Sequence, residues 1–286
     1  MIGCRNHLQG GRAPGKAPFP SSASSSPAAW ARAAAGGAAA TLTLACGIPC
    51  VETVTSPDLG SERVLIGAPS VPRGAVVLLP GGDGHVGIGE DGAIADADNF
   101  LVRTRNQWLA LGYAYAMPDA PSGSPSLTGR RRSDQYAAAV DAVVARLRDL
   151  YGVPVWLVGT SQGAIAAAST AARFDHVAGV VLASPVTEPG RSGETLFDVR
   201  LADIRVPALV LTNAHDACRT SPPDDAPRVV AALVHAHPSD AMTFDSMQAG
   251  GPACGPWSPH GFMGIEPTVL DKAAAWMAAA GQADSR

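Results

Sequence analysis

The sequence predicts an α/β domain: a mostly parallel sheet covered on both faces by helices. Three observations carry the prediction. Several short runs are apolar throughout rather than alternating, as in strands buried on both faces. These runs alternate with helical segments, the pattern of a sheet wound through crossover helices. The 286-residue chain is 47% hydrophobic and 16% charged, so it can bury a full core.

The elements follow in order. Arg63-Val-Leu-Ile-Gly67 is a short β-like run, and Ala75-Val-Val-Leu-Leu-Pro80 is a buried strand leading into Gly81-Gly82-Asp83-Gly84. A Gly- and Asp-rich rim loop over 87–98 precedes a helix expected over 99–111 and a strand over 113–117. Residues 133–151 form an amphipathic helix, with Ala137, Val140, Val143, Val144 and Leu147 on one face and Ser133 as its cap. The preceding Arg130-Arg131-Arg132 reads as a solvated turn, with anion binding as the alternative. A strand over 154–159, an Ala-rich helix over 163–173 and strands over 177–183 and 207–212 come next. A helix over 227–235, a weak strand over 242–244 and a closing helix over 266–280 complete the chain. There is no internal repeat and no second linker, so one domain is expected over 55–286.

Residues 1–50 differ in kind. No Asp or Glu occurs before Glu52, while Arg5, Arg12, Lys16 and Arg32 are basic. The short apolar run ending at Ala45 then reads as the core of a secretory leader, with a low-complexity tail or a lipid-anchored Cys46 as alternatives. Beyond the leader no apolar run reaches the ~18 residues of a membrane span. A net charge of −4 and a pI near 5.9 offer nothing to nucleic acid or an anionic membrane. The expected location is therefore secreted or periplasmic, where cysteines pair. Pairing of Cys46 with Cys50 is left open, and no cysteine pair has zinc-ribbon spacing. No cofactor or metal ligand set is expected.

The chemistry-bearing motif is Gly159-Thr160-Ser161-Gln162-Gly163, set between an expected strand and an expected helix. A turn this tight lifts a serine above the sheet edge, and flanking glycines make room for it. A serine hydroxyl needs a base, itself oriented by an acid. The acid is expected at Asp216, just past a strand, with Glu188, Asp224 and Asp225 as rivals. The base is expected at His260, ahead of the last helix. His235 and His237 read as surface residues, and His215 as structural or site-lining. If Asp216 and His260 meet, Cys218 and Cys254 come within reach of a disulfide. One oxyanion donor is expected from the N–H of Gln162 and the other from Gly82, with Asp83 as runner-up. A phosphate-cradling loop at 81–84 is the competing reading, but it lacks the G-K-[ST] ending.

Over roughly residues 60–282 the sequence resembles the α/β-hydrolase superfamily, in particular its secreted-esterase and dienelactone-hydrolase-like branches. The resemblance rests on Pro80-Gly81-Gly82, Gly159–Gly163, Asp216 and His260, in the chain order Ser, Asp, His. It implies an eight-stranded sheet and cofactor-free hydrolysis through an acyl-enzyme. Ser161 would be the nucleophile, His260 the base and Asp216 its orienter. Pro80 stands where many members have His, and Ser161 where dienelactone hydrolases commonly have Cys. Only about twenty residues, 186–205, separate the strand ending near Pro185 from the next strand, enough for a loop and one helix but not a lid domain. The substrate expected is a small or accessible polymeric ester, with Asp83 and Trp257 as pocket candidates. A peptidase, amidase or acyltransferase would use the same triad, and an inactive binding protein on this scaffold is the reading from another class.

Overall fold

The computed structural model describes residues 49–56 and 59–283. The strands are β1 (Cys50–Ser56), β2 (Gly60–Gly67), β3 (Gly74–Leu79), β4 (Tyr113–Pro118), β5 (Val155–Thr160), β6 (Gly179–Ala183), β7 (Ala208–Asn213) and β8 (Ser239–Phe244). The α-helices are α1 (Phe100–Ala110), α2 (Asp134–Tyr151), α3 (Gln162–Ala171), α4 (Ala226–Ala232) and α5 (Glu266–Ala283). One sheet runs β1-β2-β4-β3-β5-β6-β7-β8. The strands from β4 to β8 along this order pair in parallel, while β2 pairs antiparallel with both β1 and β4. The mostly parallel sheet expected from the apolar runs is present.

Every residue of β3, β4, β5, β6 and β7 is buried. Their side chains alternate between two apolar layers. Ala75, Val77 and Leu79 join Val140, Val144 and Leu147 of α2 and Ile165 of α3 on one face. Val76 and Leu78 join Leu101 and Trp108 of α1 and Val269, Ala273 and Met277 of α5 on the other. Ser133 caps α2 by accepting a hydrogen bond from the Tyr136 N–H at 3.2 Å, and Gly152 ends it at φ +64°.

Several boundaries differ from expectation. The sheet begins at Cys50 with β1, a strand that sequence reading assigned to the leader and the gap after it. An edge strand is only half covered, so it lacks the continuous apolar run that marks the inner strands. Residues 1–48, which hold most of the expected leader and Cys46, lie outside the described residues. Between β6 and β7, where the length leaves room for a loop and one helix, the chain forms two single 3₁₀ turns, Leu196–Asp198 and Leu201–Asp203. Leu196, Leu201 and Ile204 tuck into the core, so this segment packs beside the sheet instead of forming a lid. Helix α4 stops at Ala232, and beyond it the His235 ring lies 2.6 Å from the Ala202 carbonyl. Among the described residues no helix is long and apolar enough to cross a membrane.

Candidate active site

Ser161 stands between β5 and α3 with φ 53° and ψ −122°, a left-handed backbone that costs a non-glycine residue about 1–3 kcal/mol. Its neighbours explain how it is held. A Cβ on Gly159 would strike the Gly163 carbonyl, and one on Gly163 would strike the Leu79 carbonyl. Backbones of β3, β5 and α3 thus meet where only hydrogen fits, and the turn has no slack. The Ser161 N–H donates to the Ala183 carbonyl at 2.9 Å, tying the turn to β6. Helix α3 starts at Gln162, one residue earlier than expected, so the Gln162 N–H is one of the unpaired donors at a helix start.

His260 lies in a 3₁₀ turn (Pro259–Gly261) and is 5% exposed. Its Nδ1 is 2.8 Å from Oδ2 of Asp216, which is 8% exposed at the end of β7. The other Asp216 oxygen accepts the Cys218 N–H at 2.8 Å. With Nδ1 carrying the proton toward the carboxylate, Nε2 is left as the basic nitrogen. The His260 backbone is clamped as well. Its N–H donates to Ser258 Oγ at 3.2 Å, and its carbonyl accepts from Ser184 Oγ at 2.9 Å. Ser184, at φ 42°, is a support that sequence reading missed, since nothing local links it to a residue 76 positions away. Cys218 and Cys254 form the expected disulfide, joining the Asp216 loop to the His260 loop. The Cys218 sulfur is therefore committed, although Asp216, Cys218 and His260 cluster closely enough to suggest a metal site.

A pocket of about 170 Å³ joins these parts. Ser161, His260, Gly81, Gly82, Asp83, Asn99 and Pro256 are among its walls. The loop after β3 sits directly on the serine, because a Cβ on Gly81 would come within 2.9 Å of Ser161 Cβ. Gly82 has φ +62° with open space around it, so glycine is needed there for conformation and not for room. The rim loop is closed on itself by an Ile88–Ile94 bridge and contributes Asp96 to the pocket.

The remaining candidates separate clearly. Asp83 lines the pocket, and its Oδ1 accepts the His85 N–H. Trp257 does not: it is 38% exposed and packs on the Arg103 guanidinium at 4.6 Å, while Cys254, Gly255 and Pro256 of its loop form the wall instead. Glu188 and Asp225 face Arg228, outside the pocket, and His215 pairs with Asp245 at 2.8 Å. The Arg130–Arg132 turn is not simply solvated. Arg131 is 1% exposed and reaches the carbonyls of Pro80, Gly81 and Gly82. Burial pushes its pKa down, opposed by Tyr136, Glu194 and Asp83.

The sheet order, the strained serine between β5 and α3, and the histidine and aspartate on loops at the same sheet edge decide the architecture. The chain has the α/β-hydrolase fold. Neither protein-family models nor curated protein sequences give a match. Solved structures do. A puromycin-hydrolyzing peptidase from Mycobacterium tuberculosis is 15% identical with a TM-score of 0.58, over 82% of this chain and 40% of that one. A thermostable esterase is 16% identical with a TM-score of 0.53, over 80% of this chain and 62% of that one. A serine hydrolase without a lid from Xanthomonas campestris is 13% identical with a TM-score of 0.54, over 78% of this chain and 94% of that one. The chain thus spans about two fifths of the peptidase's length and less than two thirds of the thermostable esterase's. At these identities the likeness is one of fold.

Proposed function

We propose that the protein is a serine hydrolase that cleaves small carboxylic esters through an acyl-enzyme. The observation that carries this reading is the buried His260–Asp216 hydrogen bond at 2.8 Å, opening on the same pocket as a conformationally strained Ser161. In this reading His260 Nε2 takes the Ser161 hydroxyl proton as Oγ attacks the ester carbonyl. Asp216 holds the ring in the required tautomer and stabilises the imidazolium. The N–H groups of Gly82 and Gln162 bind the oxyanion, aided by the N-terminus of α3. His260 then gives its proton to the departing alcohol. Water, activated by the same nitrogen, releases the acid and frees Ser161.

Substrate size follows from the pocket. About 170 Å³ is well below the ~300–1,000 Å³ of sites that enclose drug-sized ligands, which favours short acyl groups. The disulfide and the basic, acid-free leader support an exported protein. A second reading, a serine peptidase or amidase, is favoured by the likeness to the puromycin-hydrolyzing peptidase.

The test is a p-nitrophenyl ester series from acetate to decanoate beside aminoacyl p-nitroanilides. The expected result is turnover highest on acetate or butyrate, weak on anilides, and abolished in a folded Ser161→Ala variant. Anilides cleaved in preference to every ester would establish the peptidase reading. Esterase activity retained by Ser161→Ala would overturn both.

A further inference from the structure

Arg131 is an unusual side chain for its place. It is a fully buried cation from a surface-type triplet, and its Nε and Nη1 have no hydrogen-bond partner. Only Nη2 is used, and all its partners belong to one loop. It donates to the carbonyls of Pro80 at 2.9 Å, Gly81 at 3.3 Å and Gly82 at 3.3 Å. The next carbonyl, Asp83, accepts the Leu127 N–H at 2.7 Å. Four successive carbonyls of the loop are thus turned toward the 127–131 segment. Gly84 closes the wrap, since a Cβ there would meet Leu127 Cδ1 at 2.6 Å and Arg131 Nη2 at 2.9 Å.

Peptide planarity gives this a consequence. In a trans peptide, the C=O of one residue and the N–H of the next point in opposite directions. Drawing the Gly81 and Gly82 carbonyls toward Arg131 therefore turns the Gly82 and Asp83 N–H groups away from it. Gly81 packs against Ser161, and Gly82, Asp83 and Ser161 line one pocket. No hydrogen bond among the described residues uses the Gly82 or Asp83 N–H, so both remain available to an anion.

We propose that Arg131 is the positioning residue of the oxyanion site: its guanidinium gathers the loop carbonyls and so aims the Gly82 N–H, with the Asp83 N–H beside it, at the reacting carbonyl oxygen that the Gln162 N–H also meets. The inference rests on the serine-hydrolase reading. It also explains why a partly unsatisfied cation is kept where an apolar side chain would often serve stability as well. Glu194, buried beside it, fixes the turn by accepting the backbone N–H groups of Arg131 and Arg132, both at 3.2 Å. The oxyanion loop is thus held from behind by a side chain some fifty residues along the chain.

The test compares wild type, Arg131→Met and Arg131→Lys. The readouts are second-order phosphonylation of Ser161 by a fluorophosphonate, kcat and KM on p-nitrophenyl acetate, and Tm. Arg131→Met is expected to lower phosphonylation and kcat about 10- to 100-fold, a fraction of what losing an oxyanion donor costs, with KM within about threefold. Arg131→Lys keeps the charge on a shorter stem without the planar fork and is expected to fall several-fold. If the methionine variant does not fold, the lysine variant is read by the same criteria. Arg146→Met, which loses the ion pair to Glu52 away from the site, serves as the stability control. Wild-type phosphonylation rates in a folded Arg131 variant would overturn the inference, as would a loss carried by KM or one matched by Arg146→Met at equal Tm. Failure of wild type itself to be labelled would instead sink the serine-hydrolase reading.

Discussion

Glu62 has no part in the proposed reaction, yet its burial is expected to make stability depend on pH. It lies in β2, 3% exposed, and neither carboxylate oxygen has a hydrogen-bond partner. Burial first, and then the nearby Asp119, push its pKa from 4.5 up to about 8. The folded chain therefore keeps this proton over a range where the unfolded chain has released it. The resulting stability is fully present below pH 4.5 and is lost as pH rises through about 8. Glu62→Gln removes the titration at nearly constant shape. Melting curves from pH 5 to 9 should show the variant flatter than wild type, and more stable at pH 9 by roughly 2–5 kcal/mol. Parallel curves would mean that Glu62 ionises freely in the fold. Glu62 and Arg131 share a lesson about legibility. Each sits in a locally polar stretch that reads as surface, and only the topology buries it. That Ser161, Asp216 and His260 would come together was legible because the proposed chemistry ties each to a strand end, in the chain order the resemblance implies.

At the scale of elements, the inner strands announced themselves because burial on both faces makes them apolar at every position. Edge strands β1 and β8 carry a mixed pattern, and one was missed and the other foreshortened. The segment after β6 was read by length, which correctly left no room for a lid domain but could not tell a helix from two 3₁₀ turns. The Asp216 and His260 loops are the elements on which the proposed site depends, and the Cys218–Cys254 bridge joins them. Asp216 is tied to that bridge directly through the Cys218 N–H, and Cys254 itself lines the pocket. Closing a loop across a sequence separation of 36 should add about 2–4 kcal/mol. Reduction under native conditions, or Cys218→Ser with Cys254→Ser, should therefore lower both Tm and kcat. Unchanged kcat with lowered Tm would show that the bridge supports the fold without positioning the acid and base.

For the whole molecule, the sheet brings residues from widely separated parts of the chain to one edge. The loop after β3 carries the proposed Gly82 and Asp83 donors, the turn after β5 carries Ser161, and residues past β6 and β7, Ser184 and Asp216, hold His260. A larger cleft of about 580 Å³ lies next to the site. It is lined by Arg63, Glu90 and Asp119 and meets the smaller pocket at His85. Everything proposed for the protein turns on whether Ser161 is an activated nucleophile. Intact-mass analysis before and after a fluorophosphonate, with peptide mapping of the adduct, tests that most directly. One adduct per chain on Ser161, absent from His260→Ala, is the predicted result. Folded protein that takes up no label, or takes it elsewhere, would contradict the proposed function.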